Sequence, residues 1–290
     1  MLADDAVKYA VALLPTPVLN TPHFADVFGG SDGKTLRMDK ENKILELEFI
    51  SFPQTVFNIE EVIKKGTKVI YKITTDDYPY SSQKGYFVDA RFVKVLTERP
   101  PNRLRQMPPQ ERIIFNLLSA QGSSYLWGGN WKDGIPEMLS YYKPTYALSE
   151  QIQARWILKG FDCSGLLYYA TDGYTPRNTS SLVNYGLPVK IADLNMEEIV
   201  QKVEPLDIIV WIGHVIIILD KERVIESRLK YENHEGELAA GVRIRALKEV
   251  LRETWQKRIP VDSYAHEVGE GRNKFVIRRW FGHIEGQQYE

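Results

Sequence analysis

Cysteine occurs once in 290 residues, at Cys163, inside the run Gly160, Phe161, Asp162, Cys163, Ser164, Gly165. A lone thiol can close no internal disulfide and build no multi-cysteine metal site. It is therefore either a small buried hydrophobe or a reactive sulfur. Gly160 and Asp162 come just before a stretch with helical potential, Leu166 to Ala170, which places the sulfur at a helix N-terminus. Unpaired backbone N–H groups and the helix macrodipole stabilise a thiolate there. A thiol nucleophile also needs a base to take its proton and return it to the leaving group.

Five histidines are available. His23 and His283 lie near the termini, while His234 and His266 sit in charge-rich stretches that read as loops. His214 opens the apolar run His214, Val215, Ile216, Ile217, Ile218, Leu219, bounded by Gly213 and Asp220, which predicts a buried strand. A histidine at the mouth of such a strand is either a fixed base or a hydrogen-bonded strand end. Arg223 to Ser227 reads as the returning strand after a turn at Asp220 to Glu222, so a hairpin can bring Glu226 near His214. A carboxylate there could hold the imidazole in one tautomer and stabilise its charged form. Spacing alone leaves Glu226 equally open as an exposed strand-end charge.

The order of motifs resembles the NlpC-type, papain-like cysteine peptidases that cut bacterial cell-wall peptides, over most of residues 108–280. Tyr125, Leu126, Trp127, Gly128, Gly129 is similar to that family's Tyr-x-Trp-Gly-Gly segment, and Asp162 to Gly165 to its Asp-Cys-Ser-Gly. Pro205, Leu206, Asp207 followed by Gly213, His214, Val215 resembles the strands carrying the base. By that resemblance Cys163 is the nucleophile, His214 the base, and Glu226 stands where the family places a third polar residue, usually His, Asn or Gln. The glutamate departs from the pattern, although acidic residues orient histidine in other triads.

The resemblance implies further roles. Tyr125 would touch the substrate or the developing oxyanion, joined by the backbone N–H of Cys163, each such donor being worth roughly 2.7 to 4 kcal/mol of barrier. Trp127 reads better as packing. Asp162 and Ser164 would hold the ammonium of a free N-terminal L-alanine, although a helix cap accounts for Asp162 equally well. Pro176, Arg177, Asn178, Thr179, Ser180 resembles a Pro-Arg-x-x-Ser stretch whose serine, here Ser180, touches substrate.

The first hundred residues read as a small all-β unit. Leu45, Leu47 and Phe49 alternate with glutamates, Lys68 to Ile73 is a second strand, and Tyr86 to Val95 holds a third and a fourth. Gly29 to Gly33 and Asp76 to Lys84 carry loop residues. Gly85 to Val93 resembles the closing strands of bacterial SH3-like barrels, which in related enzymes block one end of the cleft. The loop residues Asp76, Asp77, Tyr78 and Tyr80 could do so here, or simply be solvated. Pro100, Pro101, Pro108 and Pro109 mark a linker, and Glu111 to Ala120 has helical spacing, with one face directed at the cysteine helix. Residues 130–159 are rich in aromatics (Trp131, Tyr141, Tyr142, Tyr146, Trp156) and read either as an added lid or as packing between domains.

Size and composition agree. A chain with 43% hydrophobic residues and this length can bury two cores. A net charge of −1 without a basic stripe argues against nucleic acid as the main partner, and no run reaches the ~20 apolar residues of a membrane span. Asp4 and Asp5 precede Val7 to Leu14, unlike a signal peptide. The location expected is cytoplasmic, as one reduced thiol suits; a leader removed beforehand would make it periplasmic or secreted.

The expected fold is α+β: an SH3-like barrel over residues 1–97, a linker over 98–109 and a papain-like domain over 110–290 with an insertion at 130–159. The expected function is hydrolysis of peptidoglycan stem peptides at the γ-D-glutamyl to diaminopimelate bond, without cofactor or metal. An amidase or acyltransferase using the same pair, or a silent wall-binding module, are the alternatives.

Overall fold

The computed structural model describes residues 8–30, 35–232, 236–264 and 273–282. His234, His266 and His283, the loop residues Ser31 to Gly33, and Asp4, Asp5 and Val7 lie outside the described residues. The architecture is mixed, with helices accompanying largely antiparallel sheets. Packing divides the chain into two units, 1–105 with 126–162 and 106–125 with 163–290. This division is discontinuous, with residues 126–162 joining the first unit.

The first unit is built on a seven-stranded sheet. Strands Leu47–Ser51, Lys68–Thr74, Tyr86–Asp89 and Val93–Leu96 fall where alternation predicts them. Tyr9–Ala12, Thr16–Leu19 and the ten-residue Val56–Lys65 complete it. Pro15 and Pro17 obscured the first two. Thr16–Leu19 meets Tyr86–Asp89 only at Leu19 opposite Phe87, so Pro17 lies outside that ladder and its missing N–H costs no bond there. In the loop 76–84 Asp76 is exposed, whereas Asp77 and Tyr78 are not solvated. Both are buried, Tyr78 stacks on Phe49 at 4.3 Å between centroids, and Asp77 accepts from the Thr55 hydroxyl at 2.9 Å.

Residues 130–159 belong to this unit's core rather than forming a separable lid. Ile135, Met138, Tyr142, Trp156 and Leu158 are buried in the same apolar cluster as Phe49 and Phe57. The Asn130 amide bonds both backbone groups of Ile50, accepting at 2.9 Å and donating at 2.7 Å. The Tyr142 phenol donates to buried Asp89, which also pairs with Arg91.

The second unit centres on strands Ile208–Trp211, His214–Ile218, Arg223–Glu232, Leu238–Ala246 and Lys274–Arg279. The Ile208–Trp211 and His214–Ile218 strands are interior to the sheet, which explains their unbroken apolar runs. Helix Cys163–Ala170 packs on His214–Ile218 and on Arg223–Glu232, and helix Gln110–Ser119 packs against it. Six of the eight residues of the Cys163 helix are buried, leaving its first residue partly exposed.

Candidate active site

Cys163 is the first residue of its helix, so its sulfur sits among the N–H groups that have no intrahelical acceptor. Its Sγ lies 3.9 Å from the carbonyl oxygen of Gly213, the residue immediately before His214. The sheet thus brings the start of the His214 strand to Cys163 through its backbone.

A two-residue turn joins Ile208–Trp211 to His214–Ile218, with Trp211 paired to His214 in register. Gly213 adopts φ of 106° with open space around a Cβ there, so backbone conformation rather than room favours glycine. Both turn residues are pinned. The Gly213 N–H donates to Thr179 Oγ1 at 3.0 Å, and the Ile212 N–H to the Tyr264 hydroxyl at 3.2 Å. The Trp211 ring lies 5.2 Å from the His214 ring, restricting how far the imidazole can swing.

Glu226 reaches His214 by register. Ile217 pairs with Ile225 and Ile218 with Val224. Continuing that ladder sets Glu226 opposite Ile216, two residues from His214 and on the same face. Glu226 Oε2 lies 2.8 Å from His214 Nε2. The carboxylate is 0% exposed, and burial opposes its ionisation. The His214 hydrogen bond, with the charges of His214, Arg228 and Arg243, prevails and pulls it from 4.5 down to about 2. An ionised carboxylate only accepts, so Nε2 carries the proton and Nδ1 is the nitrogen left as an acceptor.

The other oxygen of Glu226 is held by arginines. Arg243 donates through Nε at 3.1 Å and Nη2 at 3.0 Å, while Arg228 Nη1 lies 3.5 Å and Arg245 Nη1 3.7 Å away. Their alternation, Glu226 with Arg228 and Arg243 with Arg245, is the period-two signature of one strand face, and Arg243 is directly opposite Glu226. The alternation is visible in the sequence, but the pairing of Arg243 with Glu226, like the roles of Thr179 and Tyr264, is set only by the folded register.

The remaining predicted residues are placed as follows. Ser164 is buried and its hydroxyl accepts from Arg177 Nη1 at 2.9 Å, Arg177 being itself buried. Ser180 is exposed in the short helix Thr179–Leu182, and Tyr125 is half-buried in the second unit. Asp162 ends the first unit, where its carboxylate accepts from the Gly128 N–H at 3.0 Å. Gly128 has φ of 71°, and an added Cβ would meet the Leu47 carbonyl at 2.5 Å, so this position requires glycine. Trp127 is not core packing: it is 41% exposed, with the Lys43 ammonium 5.2 Å from its ring centroid.

Among the described residues, no helix is long and apolar enough to cross a membrane, and no cluster of three His, Cys, Asp or Glu side chains could hold a metal ion. No protein-family profile matches the chain, and no curated protein does. Similar solved structures include RipD from Mycobacterium tuberculosis, described as a non-catalytic NlpC/p60 domain protein adapted to peptidoglycan binding, at 20% identity over 48% of this chain and 87% of that one, with a TM-score of 0.31. An NlpC/p60 family protein from Bacillus cereus is 14% identical over 95% of this chain, which spans 64% of that one's length, with a TM-score of 0.33. NlpC1 from Trichomonas vaginalis is 12% identical over 97% of this chain and 95% of that chain, also with a TM-score of 0.33. At these scores the functional reading rests on the chain's own residues.

Proposed function

We propose that this chain is a cysteine peptidase that hydrolyses peptidoglycan stem peptides, at the bond between γ-D-glutamate and the diamino acid. One observation carries the proposal. His214, held through Nε2 at 2.8 Å by an ionised, buried glutamate, follows directly on the Gly213 carbonyl that lies 3.9 Å from the only thiol. An inert core cysteine has no need of a partly exposed helix N-terminus next to the strand end that carries an oriented imidazole.

In the proposed reaction His214 Nδ1 takes the proton of Cys163, and the thiolate attacks the carbonyl carbon of the scissile amide. The resulting oxyanion is stabilised by the Cys163 backbone N–H and the Tyr125 phenol. His214 returns its proton to the leaving amine as the carbon–nitrogen bond breaks, giving a thioester. Water, deprotonated by His214, then attacks the thioester and restores the thiol. Glu226 keeps Nε2 protonated and stabilises the imidazolium between these steps. Asp162, Ser164 and Ser180 bind the peptide and its free N-terminal L-alanine ammonium. The first unit is read as an SH3-like barrel, and the workplace as the cytoplasm, where small turnover peptides would be recycled.

The test is mass spectrometry of products from L-Ala-γ-D-Glu-diaminopimelate, with and without a blocked L-alanine amine. The expected products are L-Ala-D-Glu and free diaminopimelate, formed only from the unblocked peptide. No cleavage of either peptide would refute the assignment.

A further inference from the structure

The arginine behind Glu226 bears on how a glutamate can stand in this position at all. A bare buried carboxylate against His214 would stabilise the imidazolium strongly and leave a poor general base. Here the carboxylate is not bare. Arg243 grips Oε1 through two N–H groups from the facing strand, leaving Oε2 for His214, and its guanidinium stacks on Tyr231 at 3.9 Å.

The other charges around the pair are committed differently. Arg228, on the strand of Glu226, lies 3.5 Å from Glu226 and 3.9 Å from Glu253. Arg245 is drawn to Glu249 at 2.5 Å and to Glu253 at 2.8 Å, both on helix Leu247–Trp255. Among the described residues Arg243 forms ion pairs with Glu226 alone. On the other side His214 faces the Trp211 ring, itself under the Arg258 guanidinium at 4.4 Å, and the Cys163 helix packs on its strand.

We propose that Arg243 is a positioning residue: by holding one oxygen of Glu226 and offsetting its charge, it sets the protonation equilibrium of the Cys163 and His214 pair. Glu226 then fixes the tautomer and stabilises the imidazolium enough for it to form, without trapping it. This rests on the peptidase reading of the site and extends it to a residue that touches neither thiol nor substrate.

The test follows the His214 ring titration by NMR and the pH dependence of Cys163 alkylation by iodoacetamide in the full chain. Arg243→Gln is expected to raise the His214 midpoint by about one pH unit. Arg243→Lys, which keeps the charge, should bring it back to within about 0.3 unit, a difference of roughly 0.4 kcal/mol. In a Glu226→Gln background, removing Arg243 should move nothing. Arg243→Met, whose stem keeps the packing on Tyr231, substitutes for the Gln variant if that does not fold. An unmoved midpoint in the Gln or Met variant, or an equal shift without Glu226, overturns the proposal while leaving the peptidase reading intact. Wild-type alkylation that follows only an ordinary thiol, near pH ~8.5, removes both.

Discussion

Two buried carboxylates, one in each unit, share nearly every local feature and differ in one neighbour. Asp89 and Glu226 are both 0% exposed, and each is gripped by an arginine. For both, burial opposes ionisation and hydrogen bonds with positive charges overcome it. Asp89 accepts from Arg91 and from the Tyr142 phenol, joining the first hundred residues to the segment 130–159. Glu226 accepts from Arg243 and from His214, the residue after Gly213, whose carbonyl lies 3.9 Å from the Cys163 sulfur. A buried arginine–carboxylate pair is therefore no sign of a site in itself. Chemistry enters only where its second oxygen orients a group that can move a proton.

The comparison is most sharply broken at the thiol. Cys163→Ala should lower turnover of the stem peptide by about 10⁴-fold or more, as removal of a triad nucleophile does, with its melting temperature little changed. Retained turnover in a steady-state assay would detach Cys163 from the chemistry altogether. Next come the carboxylates themselves. Either alanine variant removes the carboxylate partner of a partly exposed arginine that keeps its tyrosine contact, a loss of about 1 to 3 kcal/mol, readable by urea denaturation. Glu226→Ala should also cost about 10²-fold or more in kcat, whereas the folded fraction of Asp89→Ala should keep kcat within about threefold. Equal kcat losses would erase the distinction between the two pairs.

A gentler variant, Glu226→Gln, keeps an acceptor for Nε2 and should lose less kcat than the alanine variant in the same assay. The smallest expected effect is in acid. Glu226 titrates at about 2 when folded against an ordinary 4.5, so it contributes stability that is complete above 4.5 and is lost as pH falls toward 2. Denaturation followed between those limits should be less steep with pH in Glu226→Gln. An unchanged slope would mean that the carboxylate is not held ionised by its neighbours.

The site was more legible than the scaffold around it. The lone cysteine before an apolar helix, and the histidine opening an apolar strand, are local patterns that survive without knowledge of the fold. So was the hairpin that carries Glu226, because its turn and return lie within a dozen residues. Segment 130–159 was not legible: its aromatics match no helical or strand period, and the groups that its Asn130 and Tyr142 meet, Ile50 and Asp89, lie 80 and 53 residues away in the chain. Pro17 stands inside the strand Thr16–Leu19 and Pro15 in the connection before it, a placement that only the folded sheet defines. Arg243 was missed for a third reason. Its partner is on the neighbouring strand, and register across a hairpin is fixed by turn and pattern together.

The central claim is that Cys163 attacks a peptide carbonyl with His214 as its base. Acid-quenching the enzyme early in its reaction with L-Ala-γ-D-Glu-diaminopimelate and weighing the peptide that contains Cys163 tests it most directly. The account predicts an L-Ala-γ-D-Glu acyl group on Cys163, formed with release of diaminopimelate and lost on longer incubation. Diaminopimelate released by the Cys163→Ala variant, or by wild type while the alkylated thiol is blocked, would contradict it.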